Sequence, residues 1–312
     1  MQGWLTNTNQ VDEIGEDFFK GCFEAGSKLC PLSHEKDSSA SHISDRTWAW
    51  IMSLDEEPLT MPTNDGTNIL IRSGDIRTLF RWTMYNANYL FRPFSTTISN
   101  AMNGNTGALF KEFYDLFRIA PNESACSKST VAPLIAEDQQ SAIVCIDGED
   151  TTHLKVSDWR NYLEDQLKVS SIAGAFWATL RISCAGWTAR PNWLFKGPYT
   201  TPEPSKVASS PEHGRPAAPL FFTSTSQDPA TPPANARAMA KGHPGAGVMI
   251  QKSTGHCIVL GPMGACAKNA MANYLDTGEV PSEELVCEDT RGPWEGDASE
   301  HVSPRLQSQW VL

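Results

Sequence analysis

No apolar run in this chain is long enough to cross a bilayer. The strongest, Ile172 to Leu180, covers nine residues where about 20 are needed. Clustered basic residues are missing too. The 312 residues carry 25 Lys and Arg against 36 Asp and Glu, for a net charge of −11, whereas phosphate neutralisation requires Lys and Arg gathered together. The sequence therefore predicts neither a membrane partner nor a nucleic-acid partner. No Cys-x-x-Cys occurs among the eight cysteines, so an even count reads as disulfides formed in an oxidising compartment and not as a zinc module. A metal site from Cys22, Cys30, His34 and His42 would have spacings of eight, four and eight, which fit no zinc pattern; neither metal nor cofactor is expected. Met1-Gln2-Gly3-Trp4-Leu5 lacks the basic start and apolar centre of a signal peptide. Disulfides without a leader conflict, and the expectation that reconciles them is a chain forming the downstream part of a longer secreted protein.

What is present converges on Pro219 to Cys257. Leu220 to Thr223 is a short β-prone run that breaks at Asp228-Pro229, as a buried strand does when it delivers a carboxylate to a loop. Pro232 and Pro233 suit the first turn of a helix over Ala234 to Lys241, where a missing N–H costs nothing. Val248 to Gln251 supplies a second strand, ended by Thr254-Gly255-His256. In open α/β sheets functional side chains gather beyond the carboxyl ends of the strands. Adjacent parallel strands would therefore bring Asp228 and His256 together as the acid and base of a hydrolytic triad. On spacing alone, Asp-Pro is also a common turn opener and a His after a strand a common solvated loop residue.

The rest of the chain is mostly helical in pattern. Ile14, Phe18, Phe19 and Cys22 recur at helical spacing, and Cys22 lies close enough to Cys30 for a local bridge. Ser38 to Asp45 and Pro58 to Asn68 read as polar loops. A helix starts at Ser73, with the serine as its cap, and places Ile76, Leu79, Phe80, Thr83 and Met84 on one face beside Trp82 and Tyr85. That aromatic stripe reads as core packing that can also line a cleft. Ile98 to Met102, Leu109 to Phe117, Val156 to Val169 and Ile172 to Arg181 continue the helical pattern, whereas Ala142 to Ile146 is a short β-branched run. Cys145 and Cys184 form a candidate long-range bridge.

Several of these stretches resemble the C-terminal region of tripeptidyl aminopeptidase-like α/β-hydrolases, serine exopeptidases related to proline iminopeptidases. The matching residues are Asp228-Pro229-x-Thr231-Pro232, Gly255-His256-Cys257, Cys266, Asn273-Tyr274-x-x-Thr277-Gly278-x-x-Pro281 and Val286-Cys287-Glu288. Cys184-Ala185-Gly186-Trp187 and Ala142-Ile143-Val144-Cys145-x-Asp147-Gly148 also fit. The resemblance implies a partial α/β-hydrolase fold, a largely helical cap followed by the last two strand–helix units of the sheet. Residues 1–198 would be the mostly helical cap or lid, 199–215 a linker, 216–288 the α/β-hydrolase segment with acid and His, and 289–312 a disordered tail. It makes Asp228 and His256 the triad positions and adds Cys257, Cys266 and Cys287 to the disulfide candidates. The expected partner is a peptide substrate in the complete fold. Its free ammonium would meet a carboxylate in the cap mouth, with Asp147, Glu149 and Asp150 as candidates, although the plainer reading of these residues is an exposed acidic turn.

One element of that chemistry is missing. No Gly-x-Ser-x-Gly occurs anywhere in the sequence, and such an elbow is what exposes the nucleophile and lends a backbone N–H to the oxyanion. Ser224 and Ser226 precede the acid but lie in no elbow, and Cys257 would normally project away from His256. The expectation is therefore an exopeptidase family member that is inactive without its nucleophile-bearing half, or else a non-catalytic remnant or interaction module of the same fold. The strand edge left open would favour self-association.

Overall fold

The computed structural model describes residues 7–62, 68–117, 141–197, 199–201 and 219–296. Helix α1 (Val11–Ala25) buries Val11, Ile14, Phe18 and Cys22 at intervals of three and four, the period that puts side chains on one helical face. Phe18 meets the edges of Phe80 and Phe91 at 4.9 Å each, and Trp294 at 5.4 Å. Phe80 belongs to α3 (Ser73–Met84) and Phe91 to α4 (Ala87–Met102), so one aromatic cluster locks three helices together. Helix α2 (Ala40–Ser53) closes the cluster with Ile43 and Ile51, and α5 (Gly107–Phe117) adds Leu109 and Phe110.

A helical stretch over 141–147, here α6, precedes α7 (Val156–Val169) and α8 (Gly174–Ile182). The joint between α7 and α8 is tied to α1 by Asp12. Its carboxylate accepts from Ser170 Oγ at 2.6 Å and from the Ser171 N–H at 2.8 Å. Cys145 bonds Cys184, and Cys22 bonds Cys30.

The sheet is parallel and small: β3 (Phe221–Gln227), β4 (Gly247–Thr254) and β5 (Leu285–Cys287), in spatial order β3-β4-β5. Helix α9 (Pro233–Lys241) joins the first pair, with Pro233 in its first turn, and α10 (Ala265–Thr277) joins the second. Parallel neighbours require such crossovers. Met249, Ile258, Ala267 and Cys287 form the local core, and the Cys266–Cys287 disulfide fixes α10 to β5. The register runs evenly to Thr225↔Gln251 and then shifts, so that Gln227 pairs with Thr254. Among the described residues no strand pairs with the outer edge of β3, and Leu220 beside it is exposed.

Several expectations are corrected. The supposed loop from Ser38 becomes helix at Ala40, because Ile43, Thr47 and Ile51 each fall one turn apart and bury together. Polar neighbours hide that stripe. Part of the Pro58–Asn68 loop is β1 (Leu59–Pro62), paired antiparallel with β2 (Asn68–Ile71). Residues 142–146 are helical despite their β-branched side chains; Val144 and Cys145 are buried there, and Arg181 Nη1 donates to the Val144 carbonyl. Ser73 is the first helical residue and not the cap; its hydroxyl goes to Asp55 at 2.7 Å. The third strand, β5, extends the two expected.

The tail expectation also changes. Residues 291–296 pack on the helices: Trp294 lies over Gly21, where a Cβ would collide with the indole, and Arg92 donates to the carbonyls of Pro293 and Glu295. Residues 297–312, most of the 199–215 linker and Cys126 lie outside the described residues.

Because Asp12 satisfies donors on a distant helical joint, Asp12→Ala should lower stability by about 2 kcal/mol, as for other hydrogen bonds to a charged group. Urea unfolding measures it, and an unchanged midpoint would show that the joint holds without the carboxylate.

Candidate active site

Strand β3 ends in an irregular turn that delivers Asp228 to the interior, where it is 1% exposed. Its carboxylate gathers five donors. Oδ1 accepts the backbone N–H groups of Ala230 at 2.8 Å and Thr231 at 2.7 Å, while Oδ2 accepts Thr231 Oγ1 at 3.0 Å. The Cys257 N–H reaches Oδ2 at 3.1 Å. His256 Nδ1 donates to Oδ1 at 2.9 Å. The acid and the histidine are thus brought together at the carboxyl ends of adjacent parallel strands.

The histidine is held from the opposite side as well. Gly255 adopts φ +145°, and a Cβ there would press on the Tyr85 carbonyl oxygen at 3.1 Å, a conformation and approach suited to glycine. The His256 N–H then donates to that carbonyl at 2.9 Å, and the Tyr85 ring meets the imidazole edge-on at 5.0 Å. A residue from the joint between α3 and α4 therefore fixes the ring from above. Since Nδ1 is taken by Asp228 and Nε2 has no hydrogen-bond partner among the described residues, Nε2 is the nitrogen left for chemistry.

Burial alone would raise the Asp228 carboxyl. The hydrogen bonds from His256 and from the backbone of Thr231 outweigh it and hold the pKa below the usual carboxylate value. Burial likewise works against a charged His256, but the hydrogen bond to Asp228, with the adjacent Cys257 side chain acting in the same direction, pushes it up to about 10. The pair therefore stands as carboxylate and imidazolium at neutral pH.

Other expected residues fall elsewhere. Ser224 Oγ donates to the Thr225 carbonyl and Ser226 Oγ to the Ser253 carbonyl, so neither hydroxyl is offered to His256. Cys257, a disulfide candidate, is a free and exposed thiol; its φ of +61° turns it outward while Cys266 pairs with Cys287. Asp147 and Glu149 are exposed at the end of α6, and this corner is tied to Arg181 and Arg190. Asp147 makes no hydrogen bond to Asp228 or His256.

Sequence reasoning missed two supporting residues. Gln10, just before α1, accepts the Asp228 N–H at 3.2 Å through Oε1 and donates to the Ser226 carbonyl through Nε2; nothing local marks it. Tyr85 is visible in the sequence only as a member of an aromatic stripe, since its contact with His256 spans 171 positions.

A parallel sheet that sets an aspartate against a histidine at neighbouring strand ends has the layout of the acid–base end of an α/β-hydrolase. Residues 170–287 match the family described as TAP-like protein, which supports reading this stretch as a TAP-like α/β-hydrolase part. The match takes in α8 as well as the sheet and covers less than half of the chain. No curated protein matches it.

The ion pair sets a stability window. His256, with its pKa raised, contributes fully below its ordinary 6.5 and loses the contribution as pH rises through about 10; Asp228, lowered, contributes fully above 3.8 and loses it in acid. The melting-temperature gap between the protein and its His256→Ala variant should be widest between pH 3.8 and 6.5 and shrink on either side. A gap constant from pH 4 to about 10 would mean the pair is not ionised as described.

Proposed function

We propose that this chain carries the acid and base of a serine hydrolase acting on peptides, a tripeptidyl aminopeptidase-like exopeptidase that releases short peptides from N-termini. The observation that carries the reading is His256, held by Asp228 through Nδ1 and open at Nε2. In the complete reaction a serine hydroxyl gives its proton to Nε2 as its oxygen attacks the peptide carbonyl. His256 returns that proton to the leaving amine, and Asp228 stabilises the transient imidazolium. Water then repeats the sequence on the acyl-enzyme and frees the serine.

The 312 residues supply no elbow serine and no oxyanion donors from an elbow, so this chain should not turn over by itself. Without the rest of the fold, the Asp228 partner holds the His256 pKa up, to about 10. Further burial of the ring by the remaining fold would lower its pKa toward the range of a base. The open edge of β3 offers a place for that remaining sheet, or for self-association with a second copy. Three disulfides, and no helix among the described residues long and apolar enough to cross a membrane, are compatible with secretion.

A fluorophosphonate probe and a tripeptidyl p-nitroanilide test the reading. The 312-residue chain should be neither labelled nor active. A longer chain that supplies an in-frame Gly-x-Ser-x-Gly should be labelled at one serine, and His256→Ala should reduce its turnover by about 10⁴-fold or more. Labelling of the shorter chain at a single serine, lost in His256→Ala, would overturn the inactivity. Turnover indifferent to His256→Ala would overturn the acid–base assignment.

A further inference from the structure

Arg81, in the middle of α3, is 1% exposed and is the largest fully buried side chain among the described residues. Its guanidinium lies 3.8 Å from the Phe176 ring centre, 4.4 Å from that of Trp82 and 5.3 Å from that of Tyr85. Nη1 donates to the Tyr85 hydroxyl at 2.9 Å, whereas Nε and Nη2 have no hydrogen-bond partner among the described residues. The other two strongly buried arginines each reach several backbone acceptors. Arg92 and Arg181 donate to backbone carbonyls of neighbouring segments. A buried cation is ordinarily paired, and each unmet buried donor costs free energy. Departures of this kind concentrate where a ligand completes the structure.

The identity of the two unmet nitrogens matters. Nε and Nη2 form the side of the guanidinium whose parallel N–H groups clasp a carboxylate in a fork. The same molecule shows that fork filled: Arg237 Nε and Nη2 hold the two oxygens of Glu284 at 2.7 and 2.9 Å. In Arg81 the fork is empty, buried and close to the acid–base pair, because Tyr85, which takes Nη1, also touches His256.

We propose that Arg81 is a substrate-carboxylate site beside His256, so that the peptides handled here carry a carboxylate close to the bond under attack, as a short peptide does at its C-terminus. This rests on the hydrolase reading above and adds the substrate class to it. Tyr85 positions the fork by holding Nη1, and a phenol oxygen that accepts from Arg81 keeps its own proton for donation. Burial lowers the Arg81 pKa, as expected for a cation whose counter-charge arrives with the ligand.

The test uses the 312-residue chain, which needs no turnover to bind. Ala-Ala-Ala and its C-terminal amide differ only in the group the fork would hold. The acid should bind at least about 10-fold more tightly, the difference a desolvated charge-assisted fork makes. In ¹⁵N spectra of the arginine side chains, the Arg81 Nε–H resonance should move on adding the acid and not the amide. Arg81→Met should bring the acid down to the affinity of the amide while the melting temperature holds or rises, since the buried charge is gone. Arg81→Lys should not restore the preference, because an ammonium cannot form the fork. Equal binding of acid and amide, no saturable binding of the acid, or a preference that survives in Arg81→Met would each overturn the proposal. If Arg81→Met does not fold, the Nε–H shift in the unaltered protein decides alone. Failure of the hydrolase reading is seen separately, as an elbow-bearing chain whose turnover ignores His256 even though the acid preference stands.

Discussion

The carboxylate of Asp228 is the point on which the C-terminal half depends. It is buried, and its five donors come from two stretches: three from Ala230 and Thr231 in the turn between β3 and α9, two from His256 and Cys257 in the loop after β4. A buried carboxylate satisfied by five donors keeps its charge without strain. The same five bonds then dictate where Thr231, His256 and Cys257 stand. The strand pairing supplies the approximate distance between acid and histidine, and the carboxylate supplies the final alignment. The register shift after Thr225 lets Gln227 and Thr254 pair so that both strand ends finish level.

The helical part acts on this centre through few contacts, all of them to backbone or to the ring face. Gln10 receives the Asp228 N–H before α1 begins, and the Tyr85 carbonyl receives the His256 N–H. These two contacts explain why the aromatic cluster around Phe18 bears on the chemistry. It fixes α1 against α3 and α4, and so fixes Gln10 relative to Tyr85. Trp294 covers the same cluster from the far end of the chain, which makes residues 291–296 part of the helical core and not a free tail. The disulfides close a short loop after α1, link α6 to the residues just after α8, and tie α10 to the shortest strand of the sheet.

Charge is used differently in the two halves. At the strand ends an acid and a base neutralise one another, and the pair is complete except for Nε2. In the helical part a guanidinium is enclosed by aromatic rings with two donors unmet, an arrangement that cation–π contact supports only in part. Tyr85 links the two, since its hydroxyl takes Arg81 Nη1 while its ring meets His256.

The sequence by itself determined the elements that carry local signals. Helices α1, α3 and α7 are readable because apolar residues recur at three and four, and Asp228 and His256 because an apolar strand ending in Asp-Pro, or in glycine and histidine, leaves little choice of local geometry. The absence of an elbow serine is also a property of sequence alone. The tertiary structure decided what depends on distant partners. Helix α2 and the helical state of 142–146 follow from packing that overrides weak or contrary local preference. The anchoring of residues 291–296 rests on one tryptophan finding a glycine 273 positions away. The tie between Tyr85 and His256, and the isolation of the Arg81 fork, come from bringing a helix of the first third against a loop of the last. No periodicity encodes such a meeting, because contact across the fold is set by how whole elements pack and not by the residues on either side.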